Sequence, residues 1–264
     1  MLEDATTVDR SLGSARDFDV REDDSWVGLF ERSDGLYVAD SHGHSFPLGQ
    51  RVRYPILRAV GFDRVVVADA RPVPTTPGGL VISLSGQTLC SFSVGDGIQD
   101  LLVLDDAIVV TYFDEGVFGG TAPSEQGLAF FDLQGTLLGG YQSVFGAEAV
   151  DVADCYAACV LGRNRVAFSA YTGFELVLLN PRARVQDVHP LPKELHGASA
   201  LSMRGEDAYL YGPYGHKRGV FCWRSGSAPR FLGEHSGPLR GLRAGRFLLK
   251  GEHGFTVLDC AAAG

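Results

Sequence analysis

Side chains that could transfer protons or bind charged groups occur directly after several short apolar segments of the chain. The densest group is the adjacent pair Asp114 and Glu115, which follows the apolar segment 107–112. Adjacent carboxylates point to different sides of an extended chain, so these two do not by themselves form an acid/base pair. Crowding with carboxylates from other parts of the fold would raise the pKa of one of them toward working pH, the range of a general acid or base. We therefore predict that Asp114 or Glu115 transfers protons in any reaction that the protein catalyses.

Tyrosine, histidine and arginine side chains at equivalent positions would complete such a site. We predict that Tyr171 and His216 share the catalytic role with the two carboxylates, because both also follow apolar segments. Arg71 would orient an anionic or carbonyl group of the substrate, since its planar guanidinium suits such oxygen atoms. The predicted substrate-binding residues all lie near the ends of apolar segments: Arg71, Tyr54, Asp100, Tyr112, Asp154, Tyr156, His196, Tyr214 and His253.

A sixfold repeat of apolar segments would hold these residues in place. A glycine precedes a short apolar segment at positions 35, 79, 127, 173, 219 and 254, with spacings of 44, 48, 46, 46 and 35 residues. We call each of these glycines with its apolar segment a marker. Further apolar segments precede each marker, and another apolar segment follows most of the markers. This pattern predicts an all-β fold, a six-bladed β-propeller with four antiparallel strands per blade. A β-sandwich or a two-domain β protein is the alternative, although neither requires a sixfold repeat.

We predict that residues 1–264 form a single propeller domain. Its approximate blades are 15–50, 51–95, 96–144, 145–192, 193–235 and 236–264. The last unit is one strand short, because only five residues follow Asp259. Residues 5–14 would supply the missing outer strand, and this pairing of the two terminal segments would remove a free sheet edge.

The predicted topology brings the candidate residues to one face of the ring. In a propeller, the innermost strand of each blade begins and the second strand ends on the same face, so those loops surround one mouth of the central channel. The segment from Phe113 to Gln126 has 14 residues, which is long for a strand connection. We predict that it covers this mouth and that Asp114 or Glu115 faces the cavity. The alternative is a structural salt bridge between one of these carboxylates and Arg71 or Arg53.

The repeat also carries a resemblance to known proteins. The six markers, from Gly35-Leu36-Tyr37-Val38 to Gly254-Phe255-Thr256-Val257, resemble those of six-bladed propellers such as the gluconolactonase-like and NHL groups, and the similarity covers the whole chain. Calcium-dependent lactonase propellers place asparagines in the channel. This chain departs from them, because its two asparagines, Asn164 and Asn180, fall in a turn and at the end of a third strand. We therefore predict no metal and no cofactor.

Composition and charge exclude several kinds of partner. A formal net charge of −9 and the lack of any basic run longer than residues 216–218 argue against nucleic acid and against an anionic membrane surface. No segment approaches the roughly 20 apolar residues of a membrane helix. Five scattered cysteines are typical of reduced thiols, which predicts a cytoplasmic protein. Arginine outnumbers lysine 20 to 3, a bias that we interpret as codon usage in a GC-rich genome.

Two classes of function stay open. The first is an enzyme, a hydrolase, lyase or isomerase, with a small-molecule site at the channel mouth. The second is a non-catalytic binding module that presents the same face to a protein or peptide, with tyrosine and arginine as anchors. A deep funnel with a converging carboxylate and histidine would favour the enzyme, whereas a flat aromatic rim would favour the binding module. The sequence does not predict the oligomeric state.

Overall fold

The computed structural model describes residues 1–260, which form six four-stranded antiparallel sheets arranged as the blades of a β-propeller. This confirms the predicted fold class. In chain order the strands are β1 (Leu2–Thr7), β2 (Ser14–Val20), β3 (Trp26–Arg32), β4 (Gly35–Asp40), β5 (Ser45–Pro47), β6 (Pro55–Val60), β7 (Arg64–Asp69), β8 (Gly78–Ser83), β9 (Thr88–Ser93), β10 (Ile98–Val103), β11 (Ala107–Tyr112), β12 (Leu128–Asp132), β13 (Leu137–Gly140), β14 (Val152–Leu161), β15 (Arg165–Thr172), β16 (Glu175–Asn180), β17 (Val185–Pro190), β18 (Ala200–Arg204), β19 (Asp207–Tyr211), β20 (Gly219–Trp223), β21 (Arg230–Glu234), β22 (Leu239–Gly241), β23 (Arg246–Gly251) and β24 (Gly254–Asp259).

Helical segments are short and lie in the connections. The α-helices are α1 (Asp114–Val117) and α2 (Tyr141–Phe145), and the 3-10 turns are Arg10–Leu12, Ser124–Gln126, Gly146–Glu148 and Lys193–Leu195. None of the helices in residues 1–260 is long and apolar enough to cross a membrane. The five cysteines are free thiols, four of them buried.

The N-terminal strand closes the ring, as the missing strand predicts. β1 pairs antiparallel with β24, so that Leu2 lies opposite Asp259 and Thr7 lies opposite Gly254. The pairing segment ends at residue 7, and Arg10–Leu12 turns instead of extending. The sequence misplaced these bounds because β1 is mostly exposed, and an exposed outer strand carries little apolar pattern.

Six hydrophobic clusters hold the blades together, one at each interface between neighbouring sheets. The strands in the middle of a blade are therefore apolar on both faces. All six residues of β11 are buried, and Val65, Val66 and Val67 of β7 are fully buried. The cluster between the last and first blades combines Phe18 and Phe30 with Phe255, so the closed ring has a continuous core.

The innermost strand of each sheet faces the central channel, and innermost strands of neighbouring sheets pack on each other, as β2 does on β6 and β14 on β18. These inner strands are β2, β6, β10, β14, β18 and β22. We call the side on which they begin the entry mouth and the side on which they end the exit mouth. The second strands of the blades end, and α1 lies, on the entry side.

Candidate functional site

A buried ion network lies in the middle of the channel. The Arg58 guanidinium on β6 donates to Asp17 Oδ2 at 2.8 Å and also pairs with Asp100. Burial opposes its charge, yet the carboxylates of Asp100, Asp17 and Asp19 raise the pKa of Arg58 further above its ordinary value. Arg240 pairs with Asp19 at 2.9 Å. Arg58 and Arg240 border both a cavity on the entry side and a cavity on the exit side. The ion network that contains them, which we call the Arg58 layer, therefore separates the two mouths of the channel.

The entry cavity is small and polar, with a volume of about 270 Å³. Two predicted substrate-binding residues border it, Asp100 and Tyr156. The Asp100 carboxylate is already engaged by Arg58, and its side chain is only 13% exposed. Asp100 therefore has a structural partner that its position in the sequence did not reveal.

Five aromatic rings form a contiguous cluster beside this cavity, which we call the aromatic platform: Tyr156, Tyr171, Phe174, His196 and Tyr214. Tyr156 stacks near Tyr171 with ring centroids 6.0 Å apart, and its hydroxyl hydrogen-bonds that of Tyr214. Phe174 stacks on the imidazole of His196 at 4.3 Å. Tyr171 and Tyr214 are 41% and 52% exposed. The platform thus presents aromatic surface to solvent across two neighbouring blades.

Local backbone features build the platform. The β14–β15 pairing has a bulge between Cys155 and Ala157, and a bulge redirects the side chain of the unpaired residue, here Tyr156. Gly197 has a positive φ of 74°, and a Cβ at this position would overlap the ring of Tyr214. Glycine therefore lets the Tyr214 ring lie against the backbone. His196 is fixed by a 3.0 Å hydrogen bond between its Nε2 and Leu191 O.

Two carboxylates adjoin the platform. Asp154 lies opposite Tyr171 in the β14–β15 pair, and α1, which begins at Asp114, packs on β14. Burial raises the pKa of Asp154 to about 6, and the nearby charge of Asp114 contributes to this rise. Among residues 1–260, neither carboxylate forms an ion pair with an arginine, lysine or histidine. Asp114 and Asp154 thus bring negative charge to the platform that no cationic side chain of residues 1–260 neutralises in an ion pair.

Glu115 differs from its neighbour Asp114. It forms a salt bridge with Arg71, and Arg71 also pairs with Asp96 at 2.9 Å. The salt bridge between Glu115 and Arg71 is the structural alternative to a catalytic role that the sequence left open for this carboxylate. The segment is held in place by Gly97, whose carbonyl accepts from Phe113 N at 2.9 Å. Phe118, which follows α1, is 74% exposed.

The other predicted residues lie apart from the platform. Tyr112 is fully buried and its hydroxyl donates to Val94 O at 2.6 Å, so it belongs to the core. His216 Nε2 lies 3.5 Å from Glu234 Oε1, and Glu234 belongs to β21, the outermost strand of that blade. Tyr54, 45% exposed, packs under Arg53, and His253 lies 3.6 Å from Glu252. A strand end determines the face on which a residue lies but not its distance from the channel axis.

The larger cavity opens at the exit mouth, which the sequence analysis did not consider. Its volume is about 500 Å³ and it is bordered by six arginines: Arg21, Arg58, Arg64, Arg240, Arg243 and Arg246. Arg58 and Arg240 lie within inner strands, Arg21 and Arg243 lie in the connections that follow β2 and β22, and Arg64 and Arg246 begin the second strands β7 and β23. This recurrence along the chain is the signal that the sequence offered. No cluster of three or more His, Cys, Asp or Glu side chains in residues 1–260 is placed to hold a metal ion.

Comparison with solved structures places the chain among the β-propellers. Virginiamycin B lyase from Staphylococcus aureus superposes with a TM-score of 0.56 at 8% identity, over 98% of this chain and 99% of the lyase. BamB from Moraxella catarrhalis gives 0.51 at 12%, over 91% and 81%. PorZ, a surface component of the type-IX secretion system of Porphyromonas gingivalis, gives 0.54 at 13%, over 98% and 34%. At these identities the likeness shows the fold alone.

No protein-family model matches the chain, and no curated protein matches it. The β-propeller is therefore the level at which the comparisons classify the chain, and the number of six blades comes from its own sheets. Proteins with this fold include a lyase and components of assemblies, so the fold does not decide between catalysis and binding.

Proposed function

We propose that the protein is a non-catalytic binding module whose entry face takes up a positively charged group, an ammonium or guanidinium, of a peptide or small molecule. The observation that carries this proposal is the aromatic platform beside two carboxylates that have no cationic partner. Aromatic faces attract cations through their quadrupole, and desolvation strengthens that attraction. A guest cation would also supply the positive charge that the Asp114 and Asp154 pair lacks.

The shape of the entry face supports binding over catalysis. The exposed rings of Tyr171 and Tyr214 form a rim, whereas the enclosed space beside them is only about 270 Å³. The histidine expected to converge with the carboxylates, His216, lies on the outer edge, and His196 is engaged by Leu191 and Phe174. Exposed tyrosines of this kind are typical anchors at protein interfaces.

A panel of peptides tests the proposal. Fluorescence anisotropy would compare lysine-rich, arginine-rich, glutamate-rich and neutral peptides of equal length at one ionic strength. We expect saturable binding of the cationic peptides only, weakened about tenfold or more by Tyr171→Ala. Tyr54→Ala is the matched control, because Tyr54 is similarly exposed but lies outside the platform. Equal loss in both variants, or preference for acidic peptides, would contradict the proposal.

One observation supports an enzyme as the second candidate. A carboxyl whose pKa is raised to about 6 beside another carboxylate resembles the pairs in which one group donates and the other accepts a proton. In this reading Asp154 is the acid and Asp114 the base of a hydrolase, lyase or isomerase, and Tyr171 contacts the substrate. Turnover found in a metabolite screen and lowered roughly a hundredfold by Asp154→Asn would favour this candidate.

A further inference from the structure

The exit cavity combines a pocket-sized volume with a dense set of arginines. Its volume of about 500 Å³ lies within the range of small-molecule sites. The ends of β2, β6, β10 and β22 form its walls, and buried apolar side chains such as Val20, Val60 and Leu242 lie between the charged groups. Such walls suit a carbon skeleton that carries a charged group.

The bordering charges are predominantly positive. Six arginines border the cavity but only three carboxylates do, namely Asp19, Glu22 and Asp105. The whole chain, by contrast, carries a net charge of −9. Arg58 and Arg240 are compensated inside the channel. The partners of Arg243, Arg246 and Arg64 are Glu22, Asp24 and Asp63, whose side chains are 75%, 73% and 78% exposed. Ion pairs with such exposed partners are screened by water and are weak.

Arg21 and Arg243 are the arginines best placed to bind a guest. Arg21 donates to Gly61 O and Ser25 Oγ and forms no ion pair with a carboxylate of residues 1–260. Arg243 is held by main-chain carbonyls, with Nη1 2.7 Å from Gly162 O and Nη2 3.1 Å from Val103 O. Arg21 is therefore fixed by neutral acceptors, whereas Arg243 combines two main-chain carbonyls with a screened ion pair to the exposed Glu22, 3.3 Å from its Nη1.

Several donors in these arginines lack acceptors. Arg21 Nη2, Arg240 Nε and Arg246 Nε are buried and have no hydrogen-bond partner within the described chain. A buried donor without an acceptor is unfavourable, since it has lost its hydration without replacement. These donors face the protein interior, so the excess of positive charge around the cavity, and not these donors, points to an anionic occupant.

We infer that the exit cavity binds a small organic anion through a carboxylate or phosphate group held by Arg21 and Arg243. The planar guanidinium fork matches the paired oxygens of both groups. This site is separate from the aromatic platform, because the Arg58 layer lies between the two mouths. Its ligand has the opposite charge to the guest proposed for the entry face.

Calorimetric titration with phenyl phosphate, benzoate, citrate and inorganic phosphate tests this inference, with sodium chloride at matched ionic strength as the reference. We expect saturable binding of at least one probe, weakened about tenfold or more by Arg21→Gln and by Arg243→Gln. Arg182→Gln is the matched control, because Arg182 is 65% exposed and does not border the cavity. Binding of the phosphates alone or of the carboxylates alone identifies the preferred group.

A measurement on the unaltered protein covers the case in which a variant does not fold. Phenylglyoxal modifies accessible guanidinium groups, and peptide mass mapping locates the modified arginines. A bound anion should protect Arg21 and Arg243 and leave Arg182 reactive. No saturable binding of any probe, or equal protection of Arg182, would overturn the inference. Tyr171→Ala should leave anion binding unchanged, so this result is independent of the proposed function of the entry face.

Discussion

At the scale of single residues, the sequence predicted the type of side chain at the entry face better than its role. Asp154, Tyr156, Tyr171, His196 and Tyr214 were all candidates, and the fold brings them together. Asp100 was also a candidate, but Arg58 engages it from 42 residues away. A pairing over that separation depends on the stagger of neighbouring inner strands, which local sequence does not encode. Phe174 was missed because apolar residues in loops carry no charge signal.

The pKa of Asp154 predicts a pH-dependent effect of its replacement. Burial raises this pKa to about 6 from an ordinary value of 3.8, so the folded state holds a proton that the unfolded chain releases. The stability of the wild type therefore decreases as pH rises from about 4 to about 6. Asp154→Asn stays neutral, so its melting temperature should exceed that of the wild type at pH 8 and match it near pH 3.5. An equal difference at both pH values would contradict the assignment.

Removal of the Arg58 cation should strongly destabilise the propeller. Arg58→Leu leaves Asp17 and Asp100 buried, with side chains only 15% and 13% exposed. Breaking a buried ion pair in this way costs about 3–5 kcal/mol in the free energy of unfolding. Urea denaturation measures the change. Arg163→Ala, where the side chain is 86% exposed, serves as the control and should change stability by about 0.5 kcal/mol or less. A loss below about 1 kcal/mol for Arg58→Leu would refute the structural role of the network.

At the scale of elements, the glycine markers and apolar segments predicted the strand order because each blade buries both of its faces. Helices α1 and α2 were missed, since four- and five-residue helices have too few turns to show a period. The long segment after Tyr112 was interpreted as a loop, whereas α1 within it packs on β14 and brings Asp114 near Asp154. That contact depends on the neighbouring blade, which the segment itself does not specify.

The closing strand makes a prediction at this scale. Deletion of residues 1–7 removes β1 and leaves the edge of β24 without its antiparallel partner. We expect the melting temperature to fall by about 5 °C or more and the transition to broaden, because the exposed edge favours fraying and association. Calorimetry and light scattering would detect both effects. Val73→Ser, at an exposed loop position, is the control. An unchanged transition after the deletion would show that β1 does not stabilise the ring.

At the scale of the whole molecule, the two mouths of the channel differ in chemistry. The entry mouth carries the aromatic platform and the Asp114 and Asp154 carboxylates, although Arg16, Arg58, Arg240 and Lys250 also border its small cavity. The exit mouth carries six arginines around a larger cavity. The predicted topology alone indicates a site on the entry face, and the excess of arginine over lysine is equally typical of codon usage in a GC-rich genome. Cavity size could not be predicted, because it depends on how the inner strands and their side chains pack around the axis.

The central claim is that the entry face binds a cation on the aromatic platform. Nuclear magnetic resonance of the tyrosine rings during titration with tetramethylammonium chloride, with sodium chloride at equal ionic strength as reference, tests it most directly. We predict saturable shifts of Tyr156, Tyr171 and Tyr214, no shift of Tyr54, and a lower pKa of Asp154 in the complex, because a nearby cation stabilises its ionised form. Shifts that do not saturate, or that are as large at Tyr54 as at Tyr171, would contradict the claim.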